Sequence, residues 1–233
     1  MFEYLMGIGV IFFVWLTIFI FNKNLRKPML WSGLVYFGFI TLIHILFLVS
    51  RNFINIGSPI TPGYWSPNTL FNLGKITYGY SIEDILFMFF VGGIATSIYE
   101  FILKKNIDIK KNRRHHIKAL VASIVSFFVF GLLFKMNLIY SLIVSSFVGA
   151  ISIWIERRDL VKHSLYGGIS FVIIYMVGFL IFKLLFPNFI SGVYNLDNLI
   201  GINFLDIPLE EYLYAFSFGL MWAPIYEYEH GSS

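Results

Sequence analysis

Four of the chain's 13 acidic residues form two adjacent pairs, each at the start of a long apolar segment: Glu83-Asp84 and Glu210-Glu211. A serine or a proline precedes each pair, and acids in a first helical turn complement the helix dipole, so helix capping is one interpretation. Adjacent helical residues point about 100° apart, so when one acid faces water the other turns towards the bundle or the lipid. Beside a second carboxylate, such a buried acid is expected to stay protonated and to donate. Each pair therefore predicts an acid with a potential base.

The elements that must position these acids are predicted to be transmembrane helices. The chain of 233 residues is 58% hydrophobic and 13% charged, with a mean hydropathy of +0.78, whereas soluble domains carry roughly 25% charged residues. We predict an all-α, polytopic transmembrane bundle of about seven spans, since a span needs ~20 apolar residues. The predicted spans are 4–21, 30–50, 81–103, 118–135, 138–155, 165–186 and 207–226. The absence of cysteine excludes disulfides and thiolate metal sites.

Basic residues indicate the orientation of these spans. They are concentrated after the first, third and fifth spans, in short loops that the positive-inside rule places in the cytoplasm. We therefore expect the N-terminus and the loops 51–80 and 187–206 outside, and the C-terminus in the cytoplasm. This distribution explains the net charge of +4 without nucleic-acid binding, and His115 and His116 are expected to be solvated in a basic loop rather than to bind metal. The basic residues are Lys23, Arg26, Lys27, Lys104, Lys105, Lys110, Lys111, Arg113, Arg114, Arg157, Arg158 and Lys162.

An internal repeat relates the two acid pairs. A shift of 127 positions matches not only the acids but also asparagine, glycine and a closing Tyr-Glu. Because 127 residues hold four spans, both copies enter the membrane in the same direction, so the repeats are parallel. We predict a first repeat at 1–104, a linking basic loop and helix at 105–137, and a second repeat at 138–230. The matched positions are Asn68 with Asn195, Gly74 with Gly201, Glu83 with Glu210, Asp84 with Glu211, Gly92 with Gly219, Tyr99 with Tyr226 and Glu100 with Glu227.

These motifs resemble those of the membrane-integral, flavin-independent lycopene cyclase family in its fused, tandem-domain form. The first half carries Trp65-Ser66-Pro67-Asn68 and then Ile82-Glu83-Asp84-Ile85-Leu86-Phe87; the second carries Ile207-Pro208-Leu209-Glu210-Glu211-Tyr212-Leu213-Tyr214. The first motif departs from the family pattern at Ser81, Asp84 and Ile85, which leaves the identity of the substrate open.

The resemblance implies acid-initiated cyclisation of the ends of lycopene or a related polyene into ionone-type rings. An acid protonates the terminal alkene, the cation closes on the chain, and a base removes a proton, so neither a redox cofactor nor a metal is required. The implied partners are a long apolar isoprenoid and membrane lipids. Glu83 and Glu210 are the leading catalytic candidates, and Asp84 and Glu211 come next. Predicted substrate-binding residues are Trp65, Asn68 and Asn195 at the entrance, together with Phe87, Tyr214 and His44. For His44 the alternative is that it packs in the core as a neutral histidine.

Two other functional classes stay open. A transporter or an isoprenoid-binding protein without catalysis also uses internal repeats with acids at helix ends. An intramembrane CAAX-type protease carries a Glu-Glu pair too, but requires arginine where this chain has Met88 and Ala215, and histidines in later spans, where we predict none. The expected structural role of Glu100 and Glu227 follows from their position at the opposite helix ends from the acid pairs.

Overall fold

A computed structural model describes residues 3–53, 64–104 and 117–231. The other residues, including His115 and His116 and most of the basic loop after the third span, lie outside the described ranges. The helices are α1 (Glu3–Phe21), α2 (Arg26–Phe53), α3 (Leu73–Ile76), α4 (Ile82–Leu103), α5 (Lys118–Phe128), α6 (Leu138–Glu156), α7 (Val161–Leu185), α8 (Phe189–Val193), α9 (Leu209–Trp222) and α10 (Ile225–His230). Short 3₁₀ turns lie at Lys23–Leu25, Leu70–Asn72, Arg158–Leu160 and Leu196–Asn198, and strands β1 (Asn203–Phe204) and β2 (Ile207–Pro208) form a small antiparallel hairpin.

Every predicted span corresponds to a helix, and the all-α fold is confirmed. Of the described helices, those at the first, second, third, fifth and sixth predicted spans are long and apolar enough to cross a membrane. The fourth is shorter: α5 continues as a π-helical turn at Val129–Leu133, and the two together extend only over Lys118–Leu133. The seventh, α9, ends at Trp222, before Pro224, whose ring cannot continue a helix. The sixth span begins earlier than predicted, and it therefore contains His163.

The two halves repeat the same helix packing. In the first half α4 packs against α1 and α2, and in the second half α9 packs against α6 and α7. The repeat-matched glycines Gly92 and Gly219 lie at close helix crossings. A Cβ on Gly92 would lie 2.9 Å from the Cβ of Tyr36 on α2, and a Cβ on Gly219 would lie 2.9 Å from the Cα of Gly168 on α7. Glycine at these positions lets the helices approach closely, as small residues do in membrane bundles.

The halves join along α4, α7 and α9. The Thr96 hydroxyl on α4 donates to the carbonyl of Trp222 at 3.0 Å, and the hydroxyls of Tyr36 and Tyr214 are 2.8 Å apart. The loops that precede α4 and α9 also pair, through an isolated bridge between Trp65 and Tyr194. Both acid-bearing helix starts therefore lie at one end of the bundle, as the parallel repeat predicts.

Candidate active site

The first acid of each pair is buried beneath the loop that precedes its helix. Glu83 is 1% exposed, and its Oε1 accepts the backbone N–H of Leu70 at 2.6 Å. Glu210 is fully buried, and its Oε1 accepts the N–H of Ile200 at 2.8 Å and the hydroxyl of Tyr140 at 2.6 Å. Neither of these first acids faces water, because the preceding loop covers each of them. Glu83 and Glu210 hold these loops over the helix starts.

The second acid of the first half combines a capping role with a place in a cavity. The Oδ2 of Asp84 accepts the N–H and the hydroxyl of Ser81 at 2.8 and 2.6 Å, while the Asp84 N–H donates back to the Ser81 hydroxyl. This capping box confirms that helix capping is part of the role of the first pair. The Oδ1 accepts the hydroxyl of Tyr4, from α1, at 2.6 Å. Asp84 also lines the central cavity.

The second acid of the second half has different partners. Glu211 is 3% exposed and lines the same cavity as Asp84. Its Oε1 accepts the hydroxyl of Tyr64, from the loop before α3, and its Oε2 accepts the hydroxyl of Tyr175, from α7, at 2.9 Å. Phenol hydroxyls can donate or accept a hydrogen bond, so these contacts accommodate both the neutral and the ionised carboxyl group.

The cavity that these two acids share has a volume of about 230 Å³ and lies among α1, α2, α4, α6, α7 and α9. Its surface is almost entirely apolar. Among the described residues that line it there is no lysine or arginine, so neither carboxyl group has a cationic partner on the cavity wall. Aromatic rings from both halves contribute to the wall, among them Tyr36, Trp65, Phe87, Phe179, Tyr194 and Tyr214. A carboxyl group in such surroundings lies next to any apolar molecule that enters.

Three of the predicted binding residues, Trp65, Phe87 and Tyr214, line the cavity. Trp65 stands edge-on to the ring of Tyr4, with the ring centroids 4.8 Å apart, and so covers the end of α1 next to the Asp84 contact. Tyr214 lies one helical turn after the second acid pair. Aromatic rings are negative on their faces, so rings in the cavity wall are able to stabilise a cation.

Of the remaining predicted binding residues, one lines the cavity and two lie outside it. His44 is buried and lines the cavity, and its ring stacks on that of Tyr80 with centroids 4.9 Å apart. Burial raises the pKa of Tyr80, so this phenol stays neutral and shares a hydrogen bond with Thr41. Asn68 and Asn195 are exposed and lie outside the cavity. The prediction that they bind substrate therefore rests on the sequence motifs alone.

Three tyrosines that contact the cavity acids were not predicted from the sequence: Tyr4, Tyr64 and Tyr175. Each is far from its acid along the chain, and tyrosine is common in membrane proteins as a packing residue. One signal was available, since Tyr175 places a hydroxyl near the middle of an apolar helix, where a polar group needs a partner.

Comparison with known proteins bears directly on this arrangement. A family model described as lycopene cyclase matches residues 4–102 and 137–229, and thus both acid pairs. The chain belongs to the lycopene cyclase family. Its two matched segments confirm the tandem form, one cyclase unit in each half. No curated protein and no solved structure matches the chain.

In this member of the lycopene cyclase family, the two leading catalytic candidates and the two next ones lie in different places. Glu83 and Glu210, which the sequence ranks first, hydrogen-bond to loop backbone and lie outside the cavity. Asp84 and Glu211, ranked second, line it. The two halves of this lycopene cyclase family member thus contribute one cavity acid each.

Proposed function

We propose that the chain is a carotenoid cyclase that closes the linear ends of lycopene or a related polyene into ionone-type rings, without oxidation or reduction. The observation that carries this proposal is the presence of one carboxyl group from each half, Asp84 and Glu211, on the wall of a single apolar cavity rich in aromatic rings. An isomerisation by proton addition and proton removal needs two such groups and an environment that excludes water.

The hydrogen bonds support a division of roles. Asp84 accepts from a backbone N–H, which can only donate, and from two hydroxyls at a helix N-terminus, and this set of donors suits an ionised carboxylate. The hydrogen-bond partners of Glu211 are tyrosine hydroxyls, which can also accept a hydrogen bond from the protonated acid. We therefore assign Glu211 as the proton donor and Asp84 as the proton acceptor.

In the proposed reaction Glu211 transfers its proton to the terminal carbon–carbon double bond of the polyene. The resulting cation is attacked by a second double bond of the same chain, which forms the ring carbon–carbon bond and moves the positive charge into the ring. Asp84 then removes a ring proton, and the electrons of that C–H bond form the new ring double bond. Atoms and electrons balance within the substrate. The proton returns from Asp84 to Glu211 before the next turnover.

The dimensions of the cavity also limit how the substrate binds. Pockets that enclose drug-sized ligands have volumes of roughly 300–1,000 Å³, and this one has about 230 Å³. It therefore has room for one end group of a long polyene, while the remainder of the polyene lies outside the cavity among membrane lipids. We propose that each end is cyclised in a separate binding event.

The membrane orientation remains a proposal from the charge distribution. Lys23, Arg157 and Lys162 lie at the helix ends opposite the acids, on the side that the positive-inside rule assigns to the cytoplasm. The cavity then lies in the outer half of the membrane, where an apolar substrate reaches it from the bilayer.

The test is pigment analysis of cells that make lycopene, with and without the chain. We expect ringed carotenoids with the wild type and unchanged lycopene with Asp84→Asn or Glu211→Gln. Glu83→Gln and Glu210→Gln serve as matched controls. They make the same acid-to-amide change outside the cavity, and at equal membrane amounts we expect them to retain ring formation. Unchanged lycopene with well-inserted wild-type protein would exclude this substrate, and binding of lycopene without conversion would favour a carotenoid-binding protein. Normal activity in both cavity variants would refute the assigned roles.

A further inference from the structure

A second cluster of ionisable groups lies at the end of α4 that is remote from the cavity. It consists of Glu100 on α4, His163 on α7 and Glu227 on α10. The Nε2 of His163 is 2.7 Å from Oε1 of Glu100, and its Nδ1 is 3.0 Å from Oε2 of Glu227. Glu100 and Glu227 are equivalent in the internal repeat, so the closing acid of each half converges on one imidazole.

The cluster is buried and incompletely satisfied by hydrogen bonds. Glu100 is 2% exposed and His163 is 9% exposed. Among the residues that the structure describes, neither oxygen of Glu100 has a hydrogen-bond partner, because the close contact with Nε2 lacks hydrogen-bond geometry. Buried polar atoms of native proteins are nearly always paired, and unpaired ones point to an ion or a water molecule. The two unpaired Glu100 oxygens and the His163 Nε2 lie together inside the cluster.

The negative charge of the cluster also favours binding of a cation. Two carboxylates and a neutral imidazole carry two negative charges, and protonation of the imidazole removes only one of them. Arg157 lies close enough to Glu227 to interact with its charge, but its Nε and one terminal nitrogen donate to Asp159 at 3.0 and 2.7 Å. A divalent cation would neutralise the two carboxylates without help from a distant side chain.

We propose that Glu100, His163 and Glu227 bind a divalent metal ion of the zinc class. Imidazole nitrogen and carboxylate oxygen are its common ligands, at about 2.0–2.2 Å. One ligand atom from each of the three residues lies within 4.8 Å of the others, so small side-chain rotations bring all three to one ion. Three protein ligands leave a fourth position for water. The sequence did not suggest this site, since the ligands are more than 60 residues apart and no local motif joins them.

The site lies too far from the cavity to take part in the chemistry proposed there. Glu100 lies sixteen residues after Asp84 on one continuous helix, which places it about 24 Å along the helix axis from the cavity acid. The ion would instead tie α4 of the first half to α7 and α10 of the second. A ligand that binds the folded state alone adds to stability according to its free concentration.

The experiment uses the full chain, purified in detergent with an affinity tag that lacks histidine and stripped of metal with a chelator. Zinc is then titrated, and bound metal is counted by elemental analysis while the thermal midpoint is recorded. We expect one zinc per chain and a higher midpoint with zinc. His163→Gln and Glu100→Gln should each weaken zinc binding at least tenfold and abolish the zinc-dependent shift. Glu229→Gln, a buried acid-to-amide change in the same α10 helix, is the matched control and should keep both.

Several outcomes would overturn the proposal. Less than a tenth of an equivalent of zinc on the wild type would show that the cluster holds only an imidazolium between two carboxylates. Stoichiometric zinc that persists in His163→Gln would place the ion elsewhere. Should the variants fail to fold, the absorption spectrum of wild type loaded with Co²⁺ decides, since it must show nitrogen and oxygen ligation. Metal content is independent of pigment conversion, so this test and that of the proposed function fail separately.

Discussion

Removal of the two tyrosine hydroxyls that contact Glu211 tests the proton-donor assignment without changing the acid itself. Tyr64→Phe and Tyr175→Phe each delete one hydrogen bond and keep the ring that packs in the cavity wall. When Glu211 gives up its proton it becomes a buried carboxylate, and the two hydroxyls are its only hydrogen-bond donors among the described residues.

The expected size of the effect follows from the change in hydrogen-bond strength. A hydrogen bond contributes about 0.5–1.5 kcal/mol between neutral groups and about 1.5–3 kcal/mol to a charged one. Only the difference, about 1–1.5 kcal/mol, acts on the barrier to proton transfer, because catalysis depends on interactions that strengthen in the transition state. Since about 1.4 kcal/mol is a tenfold change in rate, each substitution should slow ring formation roughly tenfold.

The assay is the initial rate of ring formation in isolated membranes, with products separated chromatographically and rates normalised to the amount of enzyme. Tyr166→Phe is the matched control: this tyrosine is on the same helix α7, is 55% exposed, and lies outside the cavity, so its rate should stay within twofold of wild type. The double variant of Tyr64 and Tyr175 should fall by more than either single one. Full rates in both single variants would refute the argument that these hydroxyls stabilise ionised Glu211.

Three further predictions concern the base, the packing and the orientation. Tyr4→Phe removes one of three donors to the acceptor carboxylate of the first half. Because that hydrogen bond is stronger to the ionised acid than to the protonated one, its loss favours proton uptake by Asp84 and should leave ring formation at or above the wild-type rate, as measured in the same membrane assay. Gly219→Ala places a methyl group 2.9 Å from the facing backbone of α7 and should lower stability by about 1–3 kcal/mol, whereas Gly178→Ala, with open space around it, should not; thermal unfolding in detergent compares them. Because the chain lacks cysteine, a single introduced cysteine reports the side of the membrane on which it lies. In the proposed orientation, Ser66→Cys should react with an impermeant maleimide from outside intact cells, and Lys162→Cys only after permeabilisation.

The helices and the parallel repeat were predictable because their signals are local or periodic. Apolar runs mark the spans, and the 127-residue shift places two acid pairs on two helices that start at the same end, as the structure confirms. The length of the last span was not predictable from hydropathy alone, since the run continues through Pro224 although α9 ends at Trp222.

The assignment of the acids could not be made from the sequence. Which member of each pair faces the cavity depends on the rotation of α4 and α9 against their neighbours, and on the loops that cover Glu83 and Glu210. These are tertiary contacts between residues that are distant in sequence or held by irregular backbone. The partner of Glu211 from the first half, Tyr64, is 147 positions away and has no motif that links it to the acid.

One difference between the two halves explains why equivalent acids can take different roles. The residue before each acid-bearing helix is Ser81 in the first half and Pro208 in the second, at matching positions of the repeat. The serine supplies an N–H and a hydroxyl to Asp84, so the shorter acid is fixed at the helix start as a hydrogen-bond acceptor. Proline has no N–H and no hydroxyl to offer. The longer Glu211 lacks these local donors and instead reaches tyrosine hydroxyls across the cavity. In the proposed mechanism, this change of the cap between two otherwise equivalent helix starts accounts for the different roles assigned to Glu211 and Asp84.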